Sequence, residues 1–113
     1  MRMLHHPYCT KSCSALEFLS KNQINAEITD LTRYFPSREE LIELIEMLEI
    51  PVIELIRTNE PVFIKKYLGK ELNDEEWIEV ILENPILLQR PIFIEGNKAV
   101  IGRPPERIFE LYK

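Results

Sequence analysis

Nine consecutive residues, His5-His6-Pro7-Tyr8-Cys9-Thr10-Lys11-Ser12-Cys13, hold both cysteines and both histidines of the chain. They follow a short apolar start, Met1 to His5, and precede a segment in which Ala15, Leu16, Phe18 and Leu19 recur at helical spacing. A thiol at a strand-to-helix junction meets the positive end of the helix dipole and backbone N–H groups without intrahelical partners. Both favour thiolate over thiol, so Cys9 is suited to ionise at neutral pH and act as a nucleophile. The same N–H groups can hold an oxyanion. Lys11 adds positive charge, and the hydroxyls of Thr10 and Ser12 are available as further donors. The competing reading is structural, since free cysteine is often a small buried hydrophobe. His5 reads as embedded in the strand and His6 as exposed. No metal centre is expected, because no second Cys/His pair of ligand spacing occurs elsewhere.

The elements that would position this segment are legible from periodicity and caps. A strand is expected to run into the loop at Pro7, a helix over 11–21, and a second strand over 26–31, where apolar and polar residues alternate. Ser37 stands three residues before Glu40, and Asn73 three before Glu76; each pair makes a capping box at a helix start. The first of these helices should carry Leu41, Ile45 and Leu48 as its apolar stripe, with Leu44 beside it. Glu39, Glu40, Glu43, Glu46 and Glu49 would form its wet face. The second carries Trp77, Ile78, Ile81 and Leu82, with Trp77 expected in the core, and should stop before Asn84-Pro85. Pro91-Ile92-Phe93-Ile94-Glu95, then Gly96-Asn97, then Lys98-Ala99-Val100-Ile101 read as a β-hairpin. Pro104-Pro105 can open a last helix, with Ile108, Leu111 and Phe109 or Tyr112 facing the sheet. Pro61 interrupts any simple pattern between Pro51 and Gly69. The layout is α/β, resembling a thioredoxin-like fold with a helical insertion before the C-terminal hairpin.

Composition bounds the rest. A chain of 113 residues suits one domain, 1–113, large enough for a core without staples. Two cysteines exclude a disulfide scaffold, and no apolar run approaches the roughly 18 residues of a membrane helix. The start shows neither a long apolar stretch nor a small-residue cleavage site, so a cytoplasmic, reducing location is expected. The net charge of −5 argues against general nucleic-acid binding, because an acidic protein repels the phosphate backbone.

His5, Pro7, Cys9 and Ser12, leading into the helix at Leu16, resemble the start of the arsenate reductase family that works with glutathione and glutaredoxin. The Spx-type regulators are related and share that fold. The resemblance continues in order through Leu55-Ile56-Arg57-Thr58-Asn59, Asn84-Pro85-Ile86-Leu87-Leu88-Gln89-Arg90-Pro91-Ile92 and Gly102-Arg103-Pro104. It covers Leu4 to about Leu111. It implies a small oxyanion held between the Cys9 helix end and Arg57, Arg90 and Arg103. Arginine suits that task, being always charged and forked to match tetrahedral oxyanions. It also implies a cis peptide at Pro91, as thioredoxin-like folds carry beside the active cysteine. A strand-opening trans proline is the alternative.

The implied activity is reduction of arsenate to arsenite by a Cys9 thiolate, with glutathione as co-substrate, glutaredoxin as partner and no bound cofactor or metal. Two other readings remain open: an Spx-like redox regulator that binds RNA polymerase, and a glutathione-linked thiol-disulfide reductase. Cys13 departs from the pattern. Arsenate reductases of this type resemble one another in carrying an arginine there, and Spx-like proteins in placing a second cysteine three residues after the first. Helical positions four apart have Cα atoms about 6.2 Å apart. That is inside the disulfide range of roughly 4.4–6.8 Å, near its long end. Cys13 is therefore either a resolving or redox-sensing thiol, or a packing residue on the face of Leu16.

Overall fold

Four short strands form one mixed sheet in the computed structural model, which describes residues Met1 to Tyr112. They are β1 (Arg2–His5), β2 (Glu27–Asp30), β3 (Ile92–Glu95) and β4 (Lys98–Ile101), in the spatial order β2-β1-β3-β4. β1 pairs parallel with β2 through the crossover helix α1 (Thr10–Lys21), while β1–β3 and β3–β4 are antiparallel. The two inner strands are the most apolar: Met3, Leu4, Ile92 and Phe93 are all buried, as strands covered on both faces require. Gly96 takes φ +61° at the tip of the β3–β4 hairpin, a conformation glycine adopts without a Cβ clash. A core of Met3, Ala15, Leu19, Phe93, Val100, Ile108 and Leu111 joins sheet, α1 and the C-terminal segment. This is the thioredoxin-like arrangement expected from the sequence.

Residues 1–35, with the chain from Arg90 onward, form one compact unit, and residues 36–89 form another. The second is the helical insertion ahead of the hairpin. It contains α2 (Arg38–Leu48), α3 (Pro61–Lys66) and α4 (Asp74–Glu83), with short 3-10 turns at Val52–Leu55 and Pro85–Leu87. Both capping boxes form. The Ser37 Oγ accepts from Glu40 N–H at 3.2 Å and the Asn73 Oδ1 from Glu76 N–H at 2.8 Å, with reciprocal bonds of 3.1 and 3.0 Å. α4 ends at Glu83, one residue ahead of Asn84-Pro85. Trp77 is buried and stacks on Phe63 at 5.9 Å. Pro61, which masks the periodicity of its segment, is the first residue of α3, where its missing N–H costs nothing. An isolated bridge pairs Ile56 with Leu88. Beside it Arg57 N–H donates to the Leu87 carbonyl at 2.7 Å and Gln89 N–H to Leu55 at 2.8 Å.

Two expectations need correction. The C-terminal segment Pro105–Tyr112 is a 3-10 helix. Its three-residue repeat aligns Ile108 with Leu111 on the buried side and leaves Phe109 and Tyr112 on an exposed row. Phe109 only touches Phe18 edge-on, at 5.9 Å. In α2 the buried row is Leu41, Leu44 and Leu48, with Ile45 at its margin. Ile28 is exposed although it alternates correctly, because β2 is an edge strand with weaker burial on both faces.

Candidate active site

Cys9 is the N-cap of α1. Its backbone is extended, with φ −102° and ψ 121°, while its carbonyl already accepts the Cys13 N–H at 2.9 Å. The Cys9 N–H donates to the His6 carbonyl at 3.1 Å, closing a tight turn over Pro7 and Tyr8. The residue is only 8% exposed. Burial by itself would raise the thiol pKa, yet the pKa lies below its ordinary value. The Ser12 N–H, the Arg90 guanidinium and the Lys11 N–H outweigh the desolvation. The two N–H groups act as dipoles aimed toward the sulfur, without the geometry of a formal side-chain cap.

The sheet register brings the arginines to this sulfur. Leu4 pairs with Ile92 and Ile92 with Ile101, so the loop after β1, the entry to β3 and the exit of β4 meet at one end of the sheet. Pro91 and Gly102 face each other there, the Gly102 N–H donating to the Pro91 carbonyl at 2.9 Å. Arg90 precedes them on one side, and Arg103 follows on the other. Arg103 Nη2 lies 3.7 Å from Cys9 Sγ, and its Nε donates to the Arg90 carbonyl at 2.7 Å. The guanidinium is thus oriented by main chain before it meets the sulfur. A side chain at Gly102 would disturb this: a Cβ there would sit 2.5 Å from Phe93 Cε2 and 3.0 Å from Pro91 Cγ.

The Arg90–Pro91 peptide is cis, as expected, and so is Arg103–Pro104. The second was not anticipated, although an Arg-Pro pair at each end of one hairpin is visible in the sequence. The carbonyl that orients Arg103 was also missed. It is a main-chain group and leaves no residue-type signal.

The remaining site residues divide. Ser12 is fully buried, but its hydroxyl is not a donor to the site as expected. It accepts the His6 N–H at 3.0 Å and lies 2.6 Å from His5 Nδ1, so its contribution at Cys9 is its N–H. His5 is buried in β1, as read from the sequence. Its burial lowers the imidazole pKa against the opposing charge of Asp30, which favours the neutral ring in its hydrogen bond with the Ser12 hydroxyl. His6 is half-buried rather than exposed; its Nδ1 accepts the Tyr8 N–H at 3.2 Å and its ring meets Tyr8 edge-on. Thr10 and Lys11 are exposed in the first turn, with Lys11 acting on Cys9 through its N–H. Cys13 is half-buried and its thiol donates to the Pro7 carbonyl at 3.2 Å; both cysteines are free thiols. Arg57 belongs to the helical unit, where its Nη1 donates to Glu60 Oε1 at 3.2 Å and to the Ile86 carbonyl at 3.1 Å. Among the described residues no group of three or more His, Cys, Asp or Glu could hold a metal ion, and no helix is long and apolar enough to cross a membrane.

Comparison with known proteins gives a consistent set of relatives. The ArsC family model matches residues 4–111. An arsenate reductase of Haemophilus influenzae is 34% identical over 109 residues, which is 95% of this chain and 94% of that protein. The regulatory protein MgsR of Bacillus subtilis is 31% identical over 109 residues, 96% of this chain and 86% of that protein. Among solved structures, an arsenate reductase from Vibrio cholerae matches with a TM-score of 0.87 at 32% identity, covering 96% of this chain and 94% of that one.

Proposed function

This chain belongs to the ArsC family, and we propose that it is a cytoplasmic thiol oxidoreductase of the arsenate reductase type, with Cys9 as its nucleophile. The observation that carries the reading is the approach of Arg103 to the Cys9 sulfur at 3.7 Å, beside an Arg90 guanidinium that favours the thiolate. Two cations and a helix N-terminus converge on one sulfur. That arrangement suits a tetrahedral oxyanion whose charge changes as the sulfur attacks.

In this reaction the Cys9 thiolate attacks the arsenic of arsenate and displaces an oxygen as water. Arg90, Arg103 and the first-turn N–H groups hold the remaining oxygens. Glutathione then supplies the second thiol. Two thiols give up two electrons in forming the Cys9–glutathione disulfide, and arsenic(V) takes both to leave as arsenite. Glutaredoxin then reduces the disulfide left on Cys9 and returns it to the thiol. Arg57 enters this proposal from its place in the family motif alone.

The test is arsenate-dependent NADPH oxidation coupled through glutathione, glutaredoxin and glutathione reductase. Wild type is expected to turn over and Cys9→Ser to be inactive. Arg57→Lys should raise KM for arsenate if Arg57 contacts the anion and leave it unchanged otherwise. Absence of arsenate-dependent turnover in wild type would overturn the reading. Activity on a small disulfide in its place would favour a glutathione-linked thiol-disulfide reductase.

A second reading is supported by the likeness to a regulatory protein, MgsR, across nearly the whole chain. On that reading the cysteines sense redox state and switch binding to RNA polymerase. Pull-down of polymerase by the oxidised but not the reduced protein, with no arsenate turnover, would favour it.

A further inference from the structure

Resting on the reading of Cys9 as nucleophile, we propose that Cys13 is the resolving thiol of the same site, closing an internal Cys9–Cys13 disulfide that expels a thiol partner from Cys9. Three observations carry this. First, Cys9 is the N-cap and Cys13 lies one turn on, tied to it by the Cys13 N–H to Cys9 carbonyl bond of 2.9 Å. That separation puts the Cα atoms about 6.2 Å apart on helical geometry, within the roughly 4.4–6.8 Å that disulfides span. Second, the extended backbone of Cys9 frees its side chain from the helical rotamer constraint that a pair inside a helix would share. Third, the Cys13 sulfur is not committed to the core. It points back along α1 and donates to the Pro7 carbonyl, two residues before Cys9, at 3.2 Å. The Cys13 sulfur therefore lies against the short loop that leads into Cys9, and a rotation about the Cys13 side chain changes which atoms it faces.

The roles within the pair are unequal. Cys9 has the Ser12 and Lys11 N–H groups and the arginines that favour its thiolate, so it is the thiol that attacks an external partner first. Cys13 then attacks the Cys9 sulfur of the mixed disulfide. One S–S bond forms between Cys9 and Cys13 as the Cys9–glutathione bond breaks, and the Cys13 proton passes to the departing glutathione thiolate. No net electrons are needed beyond those already removed in making the mixed disulfide. The site is thereby cleared of its adduct, and the internal disulfide becomes the species the reducing partner must open.

The experiment uses oxidised glutathione and needs no arsenate, so it separates this proposal from the choice of substrate. The reduced protein is treated with oxidised glutathione and followed by intact-mass spectrometry. Wild type is expected to pass through a one-glutathione adduct and end two hydrogens lighter than the reduced chain. Cys13→Ser, which keeps a donor for the Pro7 carbonyl, should stop at the one-glutathione adduct, mapped to Cys9. A wild type that retains the adduct as fully as Cys13→Ser would overturn the resolving role and leave Cys9 as nucleophile. A wild type that forms neither adduct nor bridge would overturn both. Digestion of the oxidised wild type should give the Cys9–Cys13 peptide as an internally linked species.

Discussion

At Cys9 two effects of opposite sign act on one sulfur. Burial disfavours the thiolate, while the Ser12 N–H, Arg90 and the Lys11 N–H favour it and prevail. The rate of Cys9 alkylation by iodoacetamide should therefore rise at a lower pH than for a free cysteine, and Arg90→Gln should move the midpoint up toward that of the free thiol. The same ionisation is linked to stability. A depressed native pKa makes its contribution fully present above the unfolded thiol value of 9.0 and lost as pH falls through the lowered native value. Denaturant titrations across that window should show wild type gaining stability with pH relative to Cys9→Ser. Arg103 approaches the sulfur directly, so Arg103→Ala is expected to cut kcat/KM by about 10²–10³-fold, the usual effect of removing one oxyanion donor. Equal rates for the variant and wild type would remove Arg103 from the site. Much of this scale was legible in sequence, because Cys9, Arg90-Pro91 and Arg103-Pro104 are residue types that carry chemistry in recognisable order. The destination of the Ser12 hydroxyl was not, since a serine's partner depends on whether its rotamer turns toward the cysteine or toward the histidine strand.

The elements hold these residues by local rules with local consequences. Both capping boxes formed where Ser37–Glu40 and Asn73–Glu76 announced them, because a cap satisfies N–H groups within one turn and needs no tertiary partner. Removing either by Ser37→Ala or Asn73→Ala should cost about 1 kcal/mol in denaturant unfolding, with the activity of the surviving fold unchanged. The hairpin was legible for the same reason. Gly102 has a larger role than its residue type suggests. Its backbone passes so close to Phe93 and Pro91 that Gly102→Ala should cost roughly 1–3 kcal/mol from overpacking. Because Arg103 follows directly, the variant should also lose arsenate turnover beyond what its remaining folded fraction explains. A Gly102→Ala protein with wild-type stability and rate would contradict that placement. Sequence left two things unspecified: the 3-10 form of the last helix, Pro105–Tyr112, and the Val52–Lys66 stretch, which Pro61 interrupts. Their form depends on what they pack against more than on a period of their own.

For the whole molecule, the net charge of −5 is an average over unlike parts. Residues 36–89 carry 13 acidic side chains against five basic ones, whereas the rest of the chain carries nine basic against six acidic. Arg90 and Arg103, which act on Cys9, belong to the second group, so an acidic protein can still gather positive charge around one sulfur. A bound oxyanion feels contact charges most strongly, through the inverse dependence on distance. Raising ionic strength should therefore increase KM for arsenate by screening those contacts, whereas an anion repelled by the net charge would bind better in salt. The thioredoxin-like frame, legible in the strand and helix order, explains how residues 94 positions apart in sequence reach one sulfur.

The most direct measurement is the arsenite formed when the protein is given arsenate, glutathione, glutaredoxin, glutathione reductase and NADPH, quantified by arsenic speciation. With Cys9 as the nucleophile, wild type is expected to form one arsenite per NADPH consumed and Cys9→Ser none above background. No arsenite from wild type, or equal arsenite from Cys9→Ser, would contradict that role.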